Sequence, residues 1–275
     1  MRFPSSIKSK LVFLLIVIGM VPLFIAMAYS LYNAVTSAFE SAEHELKVTT
    51  ELIEKEVSSM MGNNFTALRL LAVNPSVQEY LTAAPENRNA NMKNLVQNAN
   101  ALFKDESNIV LTGNSGKQLV RSDDSKLVDL SARDYFKEAM KGNENVSEVV
   151  VSKTTGKAIV VIEVPVKNYD GQVIGMIQRN YDVAALTELL MADADADTEL
   201  AIFESNGKLM SHSSLKIEKE ENRIDMSNQE FMKKAHDGGE EVFEIVVDGE
   251  KKIVSCEREP QTGWIIAAFR PYSAI

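Results

Sequence analysis

A chain of 275 residues with 45% hydrophobic content can bury one or two cores, and domains of roughly 100–150 residues make two the natural division. The net charge of −10, from 39 acidic against 29 basic residues, is spread over the polar part of the chain and argues against nucleic acid or anionic lipid as a partner. The single cysteine, Cys256, excludes an internal disulfide, and no His or second Cys stands near it to make a redox site.

Arg2, Lys8 and Lys10 precede an uncharged stretch from Leu11 to Phe39 with the apolar heart LVFLLIVIGMVPLFIAMAY. About 20 such residues cross a hydrocarbon core of roughly 30 Å. This predicts a transmembrane helix over 11–32. The positive-inside bias places 1–10 in the cytoplasm and the rest outside the plasma (inner) membrane. Tyr29 and Tyr32 fit an interfacial aromatic belt. A cleaved signal peptide competes, with Ala26-Met27-Ala28 as its cleavage motif; the length of the run and its unbroken passage into a helical pattern favour the anchor.

From about residue 40 to 73, Leu46, Ile53, Val57, Met60, Leu68 and Leu71 recur at helical spacing, with Glu40, Glu43, Glu51 and Lys55 on the other surface. A long stalk helix, assigned to 33–82, follows. Its apolar stripe is wide enough to serve both its own domain and a second copy, so a homodimer is expected.

Past residue 105 short β-branched runs appear twice. NIVLTGNSGKQLVRSD and DLSARDYFKEAMKGNENVSEVVV are echoed by LAIFESNGKLMSHSS and DMSNQEFMKKAHDGGEEVFEIVV. Gly116 matches Gly207 and Ser122 matches Ser213, while Asp129, Ser131, Ala139, Gly142 and Val146 match Asp225, Ser227, Ala235, Gly238 and Val242. Two modules of one α+β fold are implied, 83–192 and 193–272. In the first, Asp129 or Ser131 can cap a helix over 132–141, and strands 146–152, 157–166 and 172–181 are joined at Thr155-Gly156 and Asp170-Gly171. In the second, the strands are 240–247, 250–257 and 263–269.

These residues resemble the double-Cache sensor domain of bacterial methyl-accepting chemotaxis receptors, on DLSARDYFKEAMKG, TGKAIVVIEVPV, DGQVIGMI and the closing TGWIIAAF. The resemblance implies two tandem PAS-like Cache modules, antiparallel sheets flanked by helices, after one transmembrane helix. It implies a small ligand in the membrane-distal module, 83–192, and a proximal module that usually binds none. It also implies a second transmembrane helix after Ile275, leading to cytoplasmic signalling segments. No cofactor and no catalysis are implied.

Arg133 leads the candidate site, because a guanidinium forks onto a carboxylate or the carbonyl edge of a base. The repeat supplies a control: Gln229 stands at the matching place, and Tyr135 becomes Phe231, losing only its hydroxyl. In amino-acid-binding members of the resembled family an Arg and two aromatics grip the carboxylate, which falls on Arg133, Tyr135 and Phe136. The Asp that holds the ammonium there is replaced by Asn180, and a Tyr and an Asp before the TG turn are replaced by Val150 and Ser152. Those departures point away from an α-amino acid and toward a short organic acid or a nucleobase. Ser131, Ser152 and Asp182 complete the candidate set; for Asp182, capping the helix 183–191 is the leading reading.

The alternation of Asp193, Asp195 and Asp197, with Glu204 at the twelfth place, imitates a calcium loop. Thr198 stands where that loop needs glycine, so an acidic hinge between modules is expected. His44, His212 and His236 are too far apart for a metal site, and none is paired with a Ser or Cys nucleophile. A binding module is the class indicated. Its rivals are an amino-acid-sensing Cache domain, the same sensor on a histidine kinase or a cyclic-dinucleotide enzyme, and a cleaved periplasmic binding protein.

Overall fold

A computed structural model of the chain describes residues 7–275 apart from 106, 216–222, 237–241 and 248. Arg2, Gly238 and the first two residues of the predicted strand 240–247 therefore lie outside the described residues.

Helix α1 runs unbroken from Ile7 to Ala72, with Pro22 inside it. Every large apolar side chain from Leu11 to Tyr32 is exposed, and this stretch of α1 is long and apolar enough to cross a membrane. From Ala42 onward one face is buried, through Leu46, Ile53, Val57, Met61, Phe65 and Leu68. The stalk helix expected over 33–82 ends ten residues early: α1 stops at Ala72 and α2, Pro75–Thr82, begins anew. Pro75 lacks the N–H that would continue α1, and the Asn74 side chain accepts from Ser76 N at 2.9 Å to cap the new helix. Helix α3, Met92–Ala101, then leads into the first sheet.

That sheet comprises β1 (Asn108–Gly113), β2 (Gln118–Arg121), β3 (Asn145–Val146), β4 (Val150–Val151), β5 (Ala158–Lys167) and β6 (Val173–Asp182), with α4 (Asp134–Met140) between β2 and β3. Its order is β2-β1-β6-β5-β3, with β4 also on β5, and every pairing is antiparallel. Helix α5 (Val183–Asp193) leads to β7 (Glu199–Phe203), β8 (Leu209–His212), α6 (Glu230–His236), β9 (Val242–Val247), β10 (Glu250–Arg258) and β11 (Ile265–Pro271). The second order, β8-β7-β11-β10-β9, is the first repeated. The resemblance extends to single bonds: Leu130 N donates to Gly116 O at 2.8 Å and Met226 N to Gly207 O at 2.9 Å.

Two details differ from the sequence reading. The strand predicted over 146–152 is two short pieces, because between them Ser147 Oγ turns back to the backbone and Val149 N donates to Glu204 of the other module. Helix α4 is capped by neither Asp129 nor Ser131. Arg133 is its N-cap residue without a side-chain bond, and Asp129 instead accepts from Ser131 N at 2.8 Å in an Asx turn.

Helix α1 covers one face of both sheets. Glu45 pairs with Arg270 at 2.7 Å and Phe39 stacks near Tyr272, while further along Asn64 accepts from Arg179 and Tyr181 reaches Met60. The second module thus packs on the part of α1 next to the apolar segment, and the first on its far end. The opposite sheet faces are covered by α4 and by α6.

Candidate functional site

Strand alternation decides which residues of β5 and β6 meet α4. Val160, Ile162 and Val164 join the core under α1, whereas Ile159 and Val161 pack with α4. On β6 the same alternation sends Ile177, Arg179 and Tyr181 toward α1, and Met176, Gln178 and Asn180 toward α4. Between β6, the start of α4 and the β4–β5 hairpin lies a small cavity. It is lined by Gln118, Arg133, Tyr135, Gln178, Asn180 and the segment Val150–Thr154, with Val128, Leu130 and Ile159 as its apolar walls. The side chains fill most of this space, leaving about 20 Å³, room for roughly one water molecule.

The lining is a polar network with little charge. Gln178 Nε2 donates to Asn180 Oδ1 at 2.8 Å, and Asn180 Nδ2 donates to Asn108 Oδ1 at 2.8 Å. Thr112 Oγ1 donates to Gln178 Oε1 at 3.3 Å. Arg121, almost fully buried, braces Gln118 and Asn108 at 3.3 Å each and is neutralised by Asp123 at 2.6 Å. Burial pushes the pKa of the Tyr135 hydroxyl up to about 12, so it stays neutral and can donate. Arg133 spends one Nη2 bond, 3.0 Å, on Val151 O, while its buried Nε has no partner among the described residues. A guanidinium so lightly engaged has donors left for a ligand.

Four of the seven residues singled out in the sequence line this cavity or its hairpin: Arg133, Tyr135, Ser152 and Asn180. Ser152 directs its hydroxyl into the hairpin, where Thr154 N and Thr155 N donate to it at 3.3 and 3.2 Å. The other three do not join them. Phe136 is buried beside Ala139, Val161 and Met176, since successive helix residues point about 100° apart and Tyr135 already takes the cavity side. Ser131 is exposed in the Asx turn, where its backbone packs on Gly116; Ser227 does the same on Gly207, so this serine belongs to the fold. Asp182 caps α5 through Ala184 N at 2.9 Å and pairs with Lys157 at 2.7 Å. Asp195 is tied to Asp197 N and Arg270, and Glu204 to Arg223, so two of the four acids of the mock calcium loop are engaged within the protein.

Sequence reading missed Gln118 and Gln178, which carry no motif, and it missed Glu163. That carboxyl is fully buried on the cavity side of β5, opposite Gln178 in register. Oε1 accepts from Asn145 Nδ2 at 3.2 Å and Oε2 has no partner among the described residues. Burial raises its pKa well above the usual carboxylate value, which favours the neutral form. A lone Glu inside the run AIVVIEVPV was the available signal.

The repeat shows what the fold alone requires. Sheet register equates Gln118 with Leu209, Gln178 with Ala267, Asn180 with Phe269 and Glu163 with Cys256. With Arg133/Gln229 and Tyr135/Phe231, every polar group of the first cavity is absent or altered in the second.

Two antiparallel sheets of one topology, strung on a single long helix, with a polar cavity between β6, α4 and the β4–β5 hairpin of the first, define a tandem sensor module. The Cache domain family model (dCache_1) matches residues 33–275, and the chain belongs to that family. It is 24% identical over 284 residues to a probable methyl-accepting chemotaxis protein of Bacillus thuringiensis, covering 98% of this chain and 40% of that relative's length. Among solved structures, the fold is shared with the extracellular domain of rpHK1S-Z16, named as a histidine kinase, at TM-score 0.69 and 14% identity over 86% of this chain and 97% of that one. It is shared with the Campylobacter jejuni chemoreceptor Tlp3 ligand-binding domain in complex with L-norvaline, at TM-score 0.67 and 18% identity, over 86% and 92%. The Pseudomonas fluorescens chemoreceptor CtaA in complex with L-serine matches at TM-score 0.60 and 17% identity, over 88% and 99%.

Proposed function

We propose that this chain is the extracytoplasmic sensor of a transmembrane chemoreceptor, anchored by residues 11–32, with residues 83–192 as the membrane-distal, ligand-binding module and 193–272 as the proximal one. Two copies pair along the exposed apolar face of α1, where Val48, Leu52 and Leu70 stand out from the protein's own core. The ligand lies between Arg133, Tyr135, Gln118, Gln178 and Asn180. The observation that carries this reading is the repeat: the polar lining exists in one module and is dispensable to the same fold in the other.

The chemistry of the lining selects the ligand. Three amide side chains, a phenol and a guanidinium offer donors and acceptors in one small space, with no ionised carboxylate to balance an ammonium. A short organic acid or a nucleobase fits that set, held by Arg133 through a carboxylate or carbonyl edge. Entry requires the β4–β5 hairpin and the start of α4 to move apart, and a ligand that bridges them favours one spacing over the other. The hairpin lies next to α5, which runs into the proximal module, so a displacement there has a path toward the membrane.

The test is thermal unfolding of the full chain in lipid nanodiscs against organic acids, nucleobases and amino acids, with Arg133→Ala beside the parent. At about 100 times the dissociation constant, a bound ligand stabilises by roughly 2.7 kcal/mol. The expected result is a rise in Tm for an acid or a base, absent in Arg133→Ala. Tight binding of an α-amino acid alone, the ligand type named for the Tlp3 and CtaA complexes, would replace the ligand class. A rise equal in parent and variant would move the site elsewhere. A second reading, supported by the likeness to rpHK1S-Z16, makes the same module the input of a histidine kinase, and the coding sequence after residue 275 decides between the two.

A further inference from the structure

The second module keeps a cavity where the first has its candidate site, and its character is different. Leu209, Ile224, Met226 and Phe269 stand at the positions of Gln118, Val128, Leu130 and Asn180, and with Phe203 and Val247 they make an apolar wall. The space measures about 190 Å³, against about 20 Å³ in the first module. An apolar protein cavity of about 150 Å³ takes up benzene, so a ring of that size fits here.

The polar groups on this wall are mostly spent. Lys252 and Glu199 pair at 2.8 Å, and Glu250 lies 3.7 Å from the same ammonium, so the wall carries no positive excess to draw an anion. His212 occupies the place of Arg121 and is the exception. Its Nδ1 accepts from Ser214 N at 3.1 Å and Leu215 N at 3.3 Å, which leaves the ring proton on Nε2. Among the described residues nothing accepts from that N–H. His212 thus offers a donor without a partner among the described residues on a largely apolar wall, and a ligand with one acceptor matches it.

We propose that the second module binds a small, uncharged, largely apolar molecule of about benzene size carrying one hydrogen-bond acceptor, which His212 Nε2–H recognises. This site is independent of the polar one in the first module and takes a different chemical class.

The experiment is methyl NMR of the full chain in lipid nanodiscs, with the Met226 signal assigned by Met226→Leu, titrated with acetophenone and with ethylbenzene, which lacks the carbonyl. Saturable shifts at Met226 are expected, with a dissociation constant of about 0.1–1 mM, ordinary for fewer than ten heavy atoms. Leu209→Phe fills the cavity and should abolish the shifts; Val247→Phe plugs it from the edge strand if the first variant does not fold. His212→Asn keeps an acceptor for Ser214 N and Leu215 N but removes the donor. It should weaken acetophenone roughly 3- to 10-fold and leave ethylbenzene unchanged. No saturable shift, or a shift that survives the plugged cavity, overturns the site. Equal weakening of both probes by His212→Asn overturns the recognition by acceptor.

Discussion

Two buried titratable side chains, one in each module, give the protein opposite responses to pH. Burial raises the pKa of Glu163 in the folded protein, whereas the unfolded chain releases that proton above about pH 4.5. Its contribution to stability is complete below that pH and is lost as the pH rises toward the folded value. Glu163→Gln keeps the shape and the Asn145 bond without the titration. Its Tm at pH 7.5 is expected to exceed the parent's by roughly 2–4 °C, the span of about 1 kcal/mol in a protein of this size, and to match it near pH 4. His212 works the other way: burial lowers its pKa below 6.5, so the unfolded chain takes up a proton there before the folded one does. Stability from this group is present above about pH 6.5 and falls as the pH falls through it. His212→Asn should flatten the parent's decline between pH 6.5 and 5 in the same melting series.

At the level of elements, the two modules are held to one geometry by matched glycines. Gly116 and Gly207 both have φ of +84°, and a Cβ on either would sit 2.6 Å from the Cα of Ser131 or Ser227. An alanine there meets both backbone strain and a clash with backbone that cannot yield. Gly156, at the tip of the β4–β5 hairpin, has φ of +72° but open space around it. Gly116→Ala and Gly207→Ala are each expected to cost about 2–5 kcal/mol in urea unfolding, and Gly156→Ala only about 1–2 kcal/mol. The glycine matches were legible in the sequence because both copies carry them. The end of α1 was less so: its apolar spacing runs on toward α2, and only the geometry of Pro75 with the Asn74 cap decides where one helix stops.

On the scale of the whole molecule, α1 is part of both cores. One continuous apolar cluster links Leu46, Ile53 and Val57 to Ile253 and Ile266 of the second sheet, and Phe65 and Leu68 to Ile162 and Ile177 of the first. Arg179, fully buried, ties the far end of α1 to the first sheet through Asn64, with Asp105 as its counter-ion and the Phe103 ring 3.6 Å beneath it. Neither module keeps its core without the helix, so the two should unfold together. Val161→Ala empties part of the first module's α4 core at a cost of about 1–3 kcal/mol. Trp264, the sole tryptophan, sits buried in the second module and should report the same downward shift in Tm. A Trp264 transition that stays in place would show two independent units.

The amino-acid order alone determined the long apolar N-terminal helix, the α+β class, the doubled module and the hairpin turns, because each rests on local signals: an uncharged apolar run, a period of two or 3.6, a glycine at a turn. It also singled out Arg133 and Tyr135, since the second copy offered Gln229 and Phe231 for comparison. Only the tertiary structure decided which neighbours join them. Gln178 and Asn180 line the cavity beside Arg133 because the pleat of β6 turns alternate residues toward α4, Gln118 reaches it from β2, and Ser131, Phe136 and Asp182 are drawn off by a turn, a core and a cap. A side chain's partners come from strands that pair across dozens of residues, and no local pattern records that pairing.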